Sequence, residues 1–330
     1  MKHMNKLEIR EHVSLSSLST FGMGGRAQFF VEVRTFEEFV FAVEWARKKN
    51  VSYRVMAGGS NIIFPDEGLD CLLIRFFGGN MVVSTNTESV TNKRISEFTD
   101  RTIIADAGVL LGDVIKKAVS LELRGLETLS GIPGTIGGAV YGNAGAYGHS
   151  ISKAVEKVEI LIPQTFERKW ILKAQCKFGY RESVFKRGFT QTISPIILRV
   201  ILKLEKGNQE ELEKKSQEII SLREKKYKPG LKCPGSFFKN VLVKDVSKKS
   251  FALVDSSKII DGKIPAGWLL ERVGAKGMRE GGIYIADFHG NLFVNDGQGT
   301  AANVKMLARI LKKKVLDRFG IELEEEVRYF

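Results

Sequence analysis

The stretch Ser130-Gly131-Ile132-Pro133-Gly134-Thr135-Ile136-Gly137-Gly138-Ala139-Val140-Tyr141-Gly142-Asn143-Ala144-Gly145-Ala146-Tyr147-Gly148 decides how this chain is read. Seven of its 19 residues are glycine, against 33 in 330 for the whole chain, and none is charged. A flexible linker mixes glycine with serine and charge. Here glycine is interleaved with Ile, Val, Ala and Tyr instead. Glycine permits positive φ and close backbone approach. Successive backbone N–H groups can then form a concavity that takes phosphate without a lysine. The stretch predicts a buried glycine loop built around a phosphorylated cofactor; a tight packing corner is the alternative.

A second loop, Ala57-Gly58-Gly59-Ser60-Asn61, follows the short strand predicted at 53–56. At a strand end its amides can face a pyrophosphate, and Ser60 and Asn61 add side-chain hydrogen bonds. A simple turn is the bland reading of Gly58 and Gly59. Two such loops in one region form the two sides of a groove for a long dinucleotide. The Rossmann pattern is absent, because Gly22-Met23-Gly24-Gly25 precedes a strand rather than following one, and no P-loop motif occurs.

Around these loops, strands are predicted at 28–33, 72–75, 102–105, 155–162, 193–204, 291–294 and 324–329. Thr35 with Glu38 forms a capping box for a helix whose Phe36, Phe39, Val40 and Val43 make one apolar stripe. Further helices are predicted at 113–121, 209–227, 267–273 and 301–319, the last capped by Thr300. Residues 84–100 read as a polar surface hairpin or loop. The irregular alternation favours α+β over a doubly wound sheet. A boundary near 206 separates a first region in two subdomains, about 1–95 and 96–205, from a second domain at 206–330. Its last strand, 324–329, carries Glu326.

Composition narrows the function. A length of 330 residues suggests two domains. Hydrophobic content of 43% and charged content of 27% are ordinary for a globular protein. No apolar run reaches spanning length and the start is too polar for a signal peptide, so a cytoplasmic protein without membrane contact is expected. Cys71, Cys176 and Cys233 form no paired motif, so neither a disulfide framework nor a metal site is expected. The net charge of +13 points to anionic partners, either nucleic acid or several small anions in one pocket.

Several motifs, in order, resemble the UDP-N-acetylenolpyruvoylglucosamine reductase family. They are Thr20-Phe21-Gly22-Met23-Gly24-Gly25, the loop 57–61 with Asp66-Glu67-Gly68, and Ser130 to Gly138. Phe178-Gly179-Tyr180-Arg181-Glu182-Ser183, Gly235-Ser236-Phe237-Phe238-Lys239-Asn240 and Glu326-Val327-Arg328 follow. The resemblance runs over nearly the whole chain. It implies that 1–205 form an FAD-binding region with a fold of the vanillyl-alcohol-oxidase type and 206–330 a substrate-binding domain, with FAD held without a covalent bond and NADPH as hydride donor. The implied substrate is the enolpyruvyl ether of UDP-N-acetylglucosamine, and the implied product is UDP-N-acetylmuramate, a peptidoglycan precursor. Hydride goes to the terminal vinyl carbon and a serine protonates its neighbour.

The resemblance assigns Ser236, Arg181 and Glu326 to catalysis. Their chemistry suits the reaction. Hydride addition drives negative charge into the substrate carboxylate, and Arg181 can hold that carboxylate bidentately. Glu326 would be the second polarising group, acting protonated in a site that raises its pKa. Ser236 would donate the proton, provided a neighbour such as Lys239 stabilises the alkoxide. Taken singly, each has a plainer reading: a surface ion pair with Glu182, a turn serine and a solvated strand end.

FAD contacts are expected at Ala57, Gly58, Gly59, Ser60, Asn61, Gly131, Gly134, Thr135, Gly137, Gly138, Ala139 and Asn143. Substrate contacts are expected at Tyr180, Lys239, Asn240, Lys276 and Arg328. Gln298 and His289 align loosely, and His289 reads equally as a packed core histidine. Cys233 reads as structural, with no histidine beside it in sequence. The 55-residue interval between Arg181 and Ser236 is short for members carrying a tyrosine loop over the substrate, so the second, loop-less type is expected. Val241 replaces a usual proline, and the chain stops at Phe330 where the family continues. A monomer is expected. Two other readings compete: a different non-covalent FAD oxidoreductase of the same fold, and a basic nucleic-acid-binding protein. The second explains the charge but none of the motifs.

Overall fold

The computed structural model describes residues 7–84, 101–188 and 195–330. The expected loop at 84–100 lies almost wholly outside these, as does the start of the strand expected from 193.

Two compact units emerge. The first comprises Met1–Arg10, Phe29–Gly58 and Cys71–Arg223; the second comprises Glu11–Gln28, Gly59–Asp70 and Glu224–Phe330. This differs from a single boundary near 206, for two physical reasons. The helix Gln209–Lys226 packs Leu212 into the core of the first unit and joins Ser216 to Ser130 by a 2.7 Å hydroxyl hydrogen bond. In turn, Phe21, Met23 and Ile63 from the N-terminal segments sit in the core of the second unit.

The first unit has two apolar clusters. In one, the helix Phe36–Lys48 packs Phe39, Ala42, Val43 and Ala46 against Val31, Leu72 and Ile74. Tyr53–Met56 pairs in parallel with Leu72–Arg75. Thr35 and Glu38 form the predicted capping box, which satisfies backbone N–H groups that the first turn leaves without partners. The other cluster covers a five-stranded antiparallel sheet ordered Glu167–Leu172, Val155–Ile162, Ile196–Lys203, Thr102–Asp106, Met81–Ser84. Val158 lies opposite Val200, and Val200 opposite Ala105. The glycine segment packs here, but not wholly as a loop: Ile136–Tyr141 is a short helix capped by Thr135 Oγ1.

In the second unit, the long helix Ala301–Phe319 runs from a Thr300 cap to Gly320 at φ 62°. Gly320 supplies the left-handed stop that a branched residue would resist. The Asp66 carboxylate accepts the N–H groups of Ala301 and Ala302 at 2.7 and 3.1 Å, placing negative charge at the helix start. The glycines of 22–25 serve packing, since a Cβ on Gly24 would come 2.5 Å from Phe64 Cβ. The strand expected at 324–329 is regular only at Arg328–Tyr329, which pairs in parallel with Ile62–Ile63. Earlier residues pair elsewhere: Glu325 bridges Phe238, and Glu326 N–H donates to the Phe237 carbonyl at 2.7 Å. A segment that changes partner midway cannot hold one ladder.

Candidate active site

The first unit carries Gly58, the glycines of 131–138 and Arg181. A Cβ on Gly58 would meet Gly134 Cα at 3.1 Å and Thr135 N at 3.5 Å. A Cβ on Gly138 would lie 3.4 Å from Ala57 Cβ. The two predicted loops therefore meet backbone to backbone. Gly137 is a packing glycine, because its Cβ would fall 2.8 Å from Ala107 Cβ and 2.9 Å from the Ala107 carbonyl. Gly131 and Gly134 adopt φ values of 74° and 108°, open to glycine but strained for other residues. Thr135, Gly137, Ala139 and Asn143 are buried, whereas Gly131 is exposed. The side chains of Thr135 and Asn143 are already engaged. Thr135 caps the short helix, and Asn143 donates to the Gly179 carbonyl at 2.7 Å while accepting from Ser152 N–H at 3.3 Å.

The Asn143 bond to the Gly179 carbonyl fixes the loop bearing Tyr180 and Arg181. Gly179 and Glu182 exchange backbone hydrogen bonds, and buried Ser183 donates to the Tyr141 carbonyl at 2.6 Å. The loop is thus tied to the glycine segment on both sides of Arg181. Arg181 itself adopts φ 55°, unusual for a non-glycine residue, and its guanidinium carbon lies 5.8 Å from the Tyr180 ring centroid. The Glu182 carboxylate takes Lys186 at 3.4 Å and Arg187 at 3.3 Å.

The second unit carries Gly59, Ser60, Asn61, Ser236, Lys239, Asn240, Lys276, Glu326 and Arg328. Gly235 at φ 86° turns the chain into a segment laid between two others. Ser236 bridges Leu292 on one side; Phe238 bridges Glu325 on the other. Asn291 locks the segment by accepting Phe238 N–H at 2.9 Å and donating to the Phe238 carbonyl at 2.8 Å. Phe237 stacks on Phe293 at 3.8 Å between centroids, and Phe238 meets both rings edge-on. These fully buried aromatics give Ser236 a rigid base. Asn61 fixes Glu326 from behind: its Nδ2 donates to the Glu326 carbonyl at 3.0 Å, and its own carbonyl accepts Arg328 N–H at 3.0 Å.

The Ser236 hydroxyl pairs with the Tyr227 hydroxyl at 2.8 Å. Sequence reasoning missed this tyrosine, since nothing in Lys-Tyr-Lys-Pro marks it. Lys239, the neighbour expected to support Ser236, is buried with its ammonium on Glu324. Asn240 Oδ1 accepts Ala266 N–H at 3.1 Å, holding the start of the helix Ala266–Arg272. Lys276 pairs with Glu271 at 3.1 Å.

Burial raises the Cys233 thiol, which favours the protonated form. Burial, aided by the Lys226 charge and opposed by Glu271, lowers His289 from 6.5 to about 4. Its Nε2 is buried without a hydrogen-bond partner among the described residues. His289 is therefore a neutral, packed ring, with its Cε1 3.0 Å from where a Cβ on Gly267 would lie. Among the described residues no group of three or more His, Cys, Asp or Glu could hold a metal ion, and no helix is long and apolar enough to cross a membrane.

Comparison with known proteins matches both parts of the chain. Residues 227–330 match the UDP-N-acetylenolpyruvoylglucosamine reductase, C-terminal domain, and residues 27–164 match the FAD binding domain. A UDP-N-acetylenolpyruvoylglucosamine reductase from Solibacter usitatus is 42% identical, covering 98% of this chain and 97% of its own. One from Prochlorococcus marinus is 32% identical over 98% and 99%. The crystal structure of the corresponding reductase (MurB) from Thermus caldophilus superposes with a TM-score of 0.71 at 30% identity, over 98% and 99%.

Proposed function

From a chain that belongs to the UDP-N-acetylenolpyruvoylglucosamine reductase family, we infer the activity and a division of labour among its residues. The protein is an FAD-dependent oxidoreductase. It reduces UDP-N-acetylglucosamine enolpyruvate to UDP-N-acetylmuramate with NADPH, in peptidoglycan precursor synthesis. The residues present fit the flavin: Gly58 and Gly134 approach so closely that a single added Cβ would fill the gap between the loops. Ala57, Gly58, Gly131, Gly134, Gly137, Gly138 and Ala139 would hold the flavin through backbone, with Gly59, Ser60 and Asn61 contributing from the adjoining turn. Thr135 and Asn143 support it by shaping the segment. We assign the vanillyl-alcohol-oxidase type to this FAD-binding region. Bound there, FAD supplies the hydride chemistry.

The chain's own residues do the rest. Arg181, presented on a doubly tied loop, takes the substrate carboxylate and stabilises its growing charge. Glu326 polarises the same group. Ser236 Oγ gives its proton to the carbon beside the ether oxygen. Lys276 and Arg328 supply positive charge for the diphosphate, while Tyr180, Lys239 and Asn240 shape the walls. Attachment of FAD is non-covalent, the protein is of the loop-less type, acts as a monomer, and works in the cytoplasm where its nucleotide substrate is made.

The observation that carries this reading is the Ser236 hydroxyl. It sits on a rigid aromatic base, with a hydroxyl partner, beside the segment bearing Glu326. The test is to follow each half-reaction in Ser236→Ala. Flavin reduction by NADPH should persist while reoxidation by the enolpyruvyl nucleotide fails. Equal slowing of both would remove Ser236 as proton donor.

A further inference from the structure

We propose that Tyr227 is the positioning residue of Ser236 and the source that restores its proton; the proposal rests on the proton-donor reading above. The Tyr227 and Ser236 hydroxyls are 2.8 Å apart, and either can donate. A serine hydroxyl that protonates carbon becomes an alkoxide, a strong base that must be stabilised or neutralised as it forms. A phenol ionises near 10, far below any aliphatic alcohol. Proton transfer from Tyr227 to the serine oxygen is therefore downhill.

The step balances. A C–H bond forms on the substrate as the Ser236 O–H bond breaks. A new Ser236 O–H bond forms as the Tyr227 O–H bond breaks. Solvent returns one proton to Tyr227, the proton that the overall reaction consumes. The negative charge rests briefly on a ring whose centroid is 5.1 Å from the Lys226 ammonium.

Other neighbours serve less well. The Lys239 ammonium is committed to Glu324. Cys233 is half-buried, its thiol raised by that burial, and Thr20 donates to its backbone carbonyl at 2.9 Å. His289 is packed against Gly267. Tyr227, by contrast, is anchored for aim. Its ring packs with Leu231, Cys233 and Tyr284 against buried Ala286, Leu292 and Val294. Leu292 is also the residue that Ser236 bridges, so one small cluster fixes both hydroxyls.

The test uses the flavin-loaded full chain and Tyr227→Phe, which keeps the ring and removes the hydroxyl. Reduction by NADPH should be unchanged, and reoxidation by the enolpyruvyl nucleotide should slow about 100-fold, within the usual range for a lost acid–base contribution. In mixtures of light and heavy water, wild-type reoxidation should fall along a curve, as two protons in flight require. Tyr227→Phe should give a straight line. Unchanged reoxidation in Tyr227→Phe, or a straight line already in the wild type, overturns the relay. A second readout needs no turnover. The ring-carbon NMR signal of labelled Tyr227, assigned by its loss in the Phe variant, should move in Ser236→Ala; a signal that stays put overturns the contact. A wild-type protein that ignores the enolpyruvyl nucleotide defeats the proposed activity, and the relay with it. Wild-type turnover with an indifferent Phe variant defeats the relay alone.

Discussion

In the first unit, a Cβ on Gly58 would fill the space up to Gly134, 3.1 Å from its Cα, and one on Gly137 would clash with Ala107 at 2.8 Å. In the second unit, a Cβ on Gly235 would touch nothing within 4 Å; Ser236 is held by a tyrosine hydroxyl and Glu326 by the Asn61 amide. One unit presents main chain, made accessible by omitting side chains. The other presents side chains, with the Ser236 hydroxyl held by a hydroxyl and the Glu326 main chain held by an amide. The contrast follows the ligands. A dinucleotide's phosphates are well served by many backbone N–H groups. A proton delivered to one carbon needs a single, aimed hydroxyl.

The comparison breaks first at Ser236. Its replacement by alanine should slow reoxidation about 100- to 10,000-fold and leave the melting temperature near wild type. Stopped-flow absorbance on each half-reaction checks this. A loss confined to flavin reduction would reverse the assigned roles of the two units.

Acid comes next, and it should act on the second unit. His289 is lowered from 6.5 to about 4, so the unfolded chain binds its proton more readily than the native one. Its contribution is fully present above about 6.5 and is lost as pH falls towards about 4, worth roughly 3 kcal/mol over that window. Urea melts of wild type and His289→Asn near neutral pH and near pH 5 test the point; the acid-induced loss should shrink in the variant.

A methyl group on Gly137 should destabilise the first unit by about 1–3 kcal/mol through overpacking against Ala107. Gly235→Ala meets open space and should cost about 1–2 kcal/mol through its φ of 86° alone. Flavin retention, measured by gel filtration, should fall in Gly137→Ala and hold in Gly235→Ala. The smallest effect expected is from Ser183→Ala. It strips the 2.6 Å hydrogen bond to the Tyr141 carbonyl and the 3.3 Å cap on Lys186 N–H, and should cost about 1 kcal/mol, with KM for the enolpyruvyl nucleotide rising.

What the sequence made legible was local or patterned. The Thr35–Glu38 box and the Thr300 cap were readable because both partners lie within one turn. The strand at Val155–Ile162 was readable from its closing Ile160-Leu161-Ile162 and its β-branched residues. The family could be read because its motifs keep their order. Side-chain partnerships across distance were not readable. Asn61 was expected on FAD, yet its amide serves Glu326, 265 residues away. Asn143 serves Gly179, 36 residues away, and Asn240 caps a helix 26 residues on. The exchange of 11–28 and 59–70 into the second unit is equally silent, because burial of Phe21 or Ile63 looks the same in either core. Tyr227 was hidden for the same reason, as a polar group on a residue that otherwise reads as packing.

The most direct test of the central claim is an anaerobic visible spectrum of the FAD-loaded protein. NADPH is added first and UDP-N-acetylglucosamine enolpyruvate second. Bleaching of the flavin band by NADPH, with recovery only on addition of the nucleotide, is the predicted result. A band that bleaches and then ignores the nucleotide, or a protein that takes up no FAD, would contradict it.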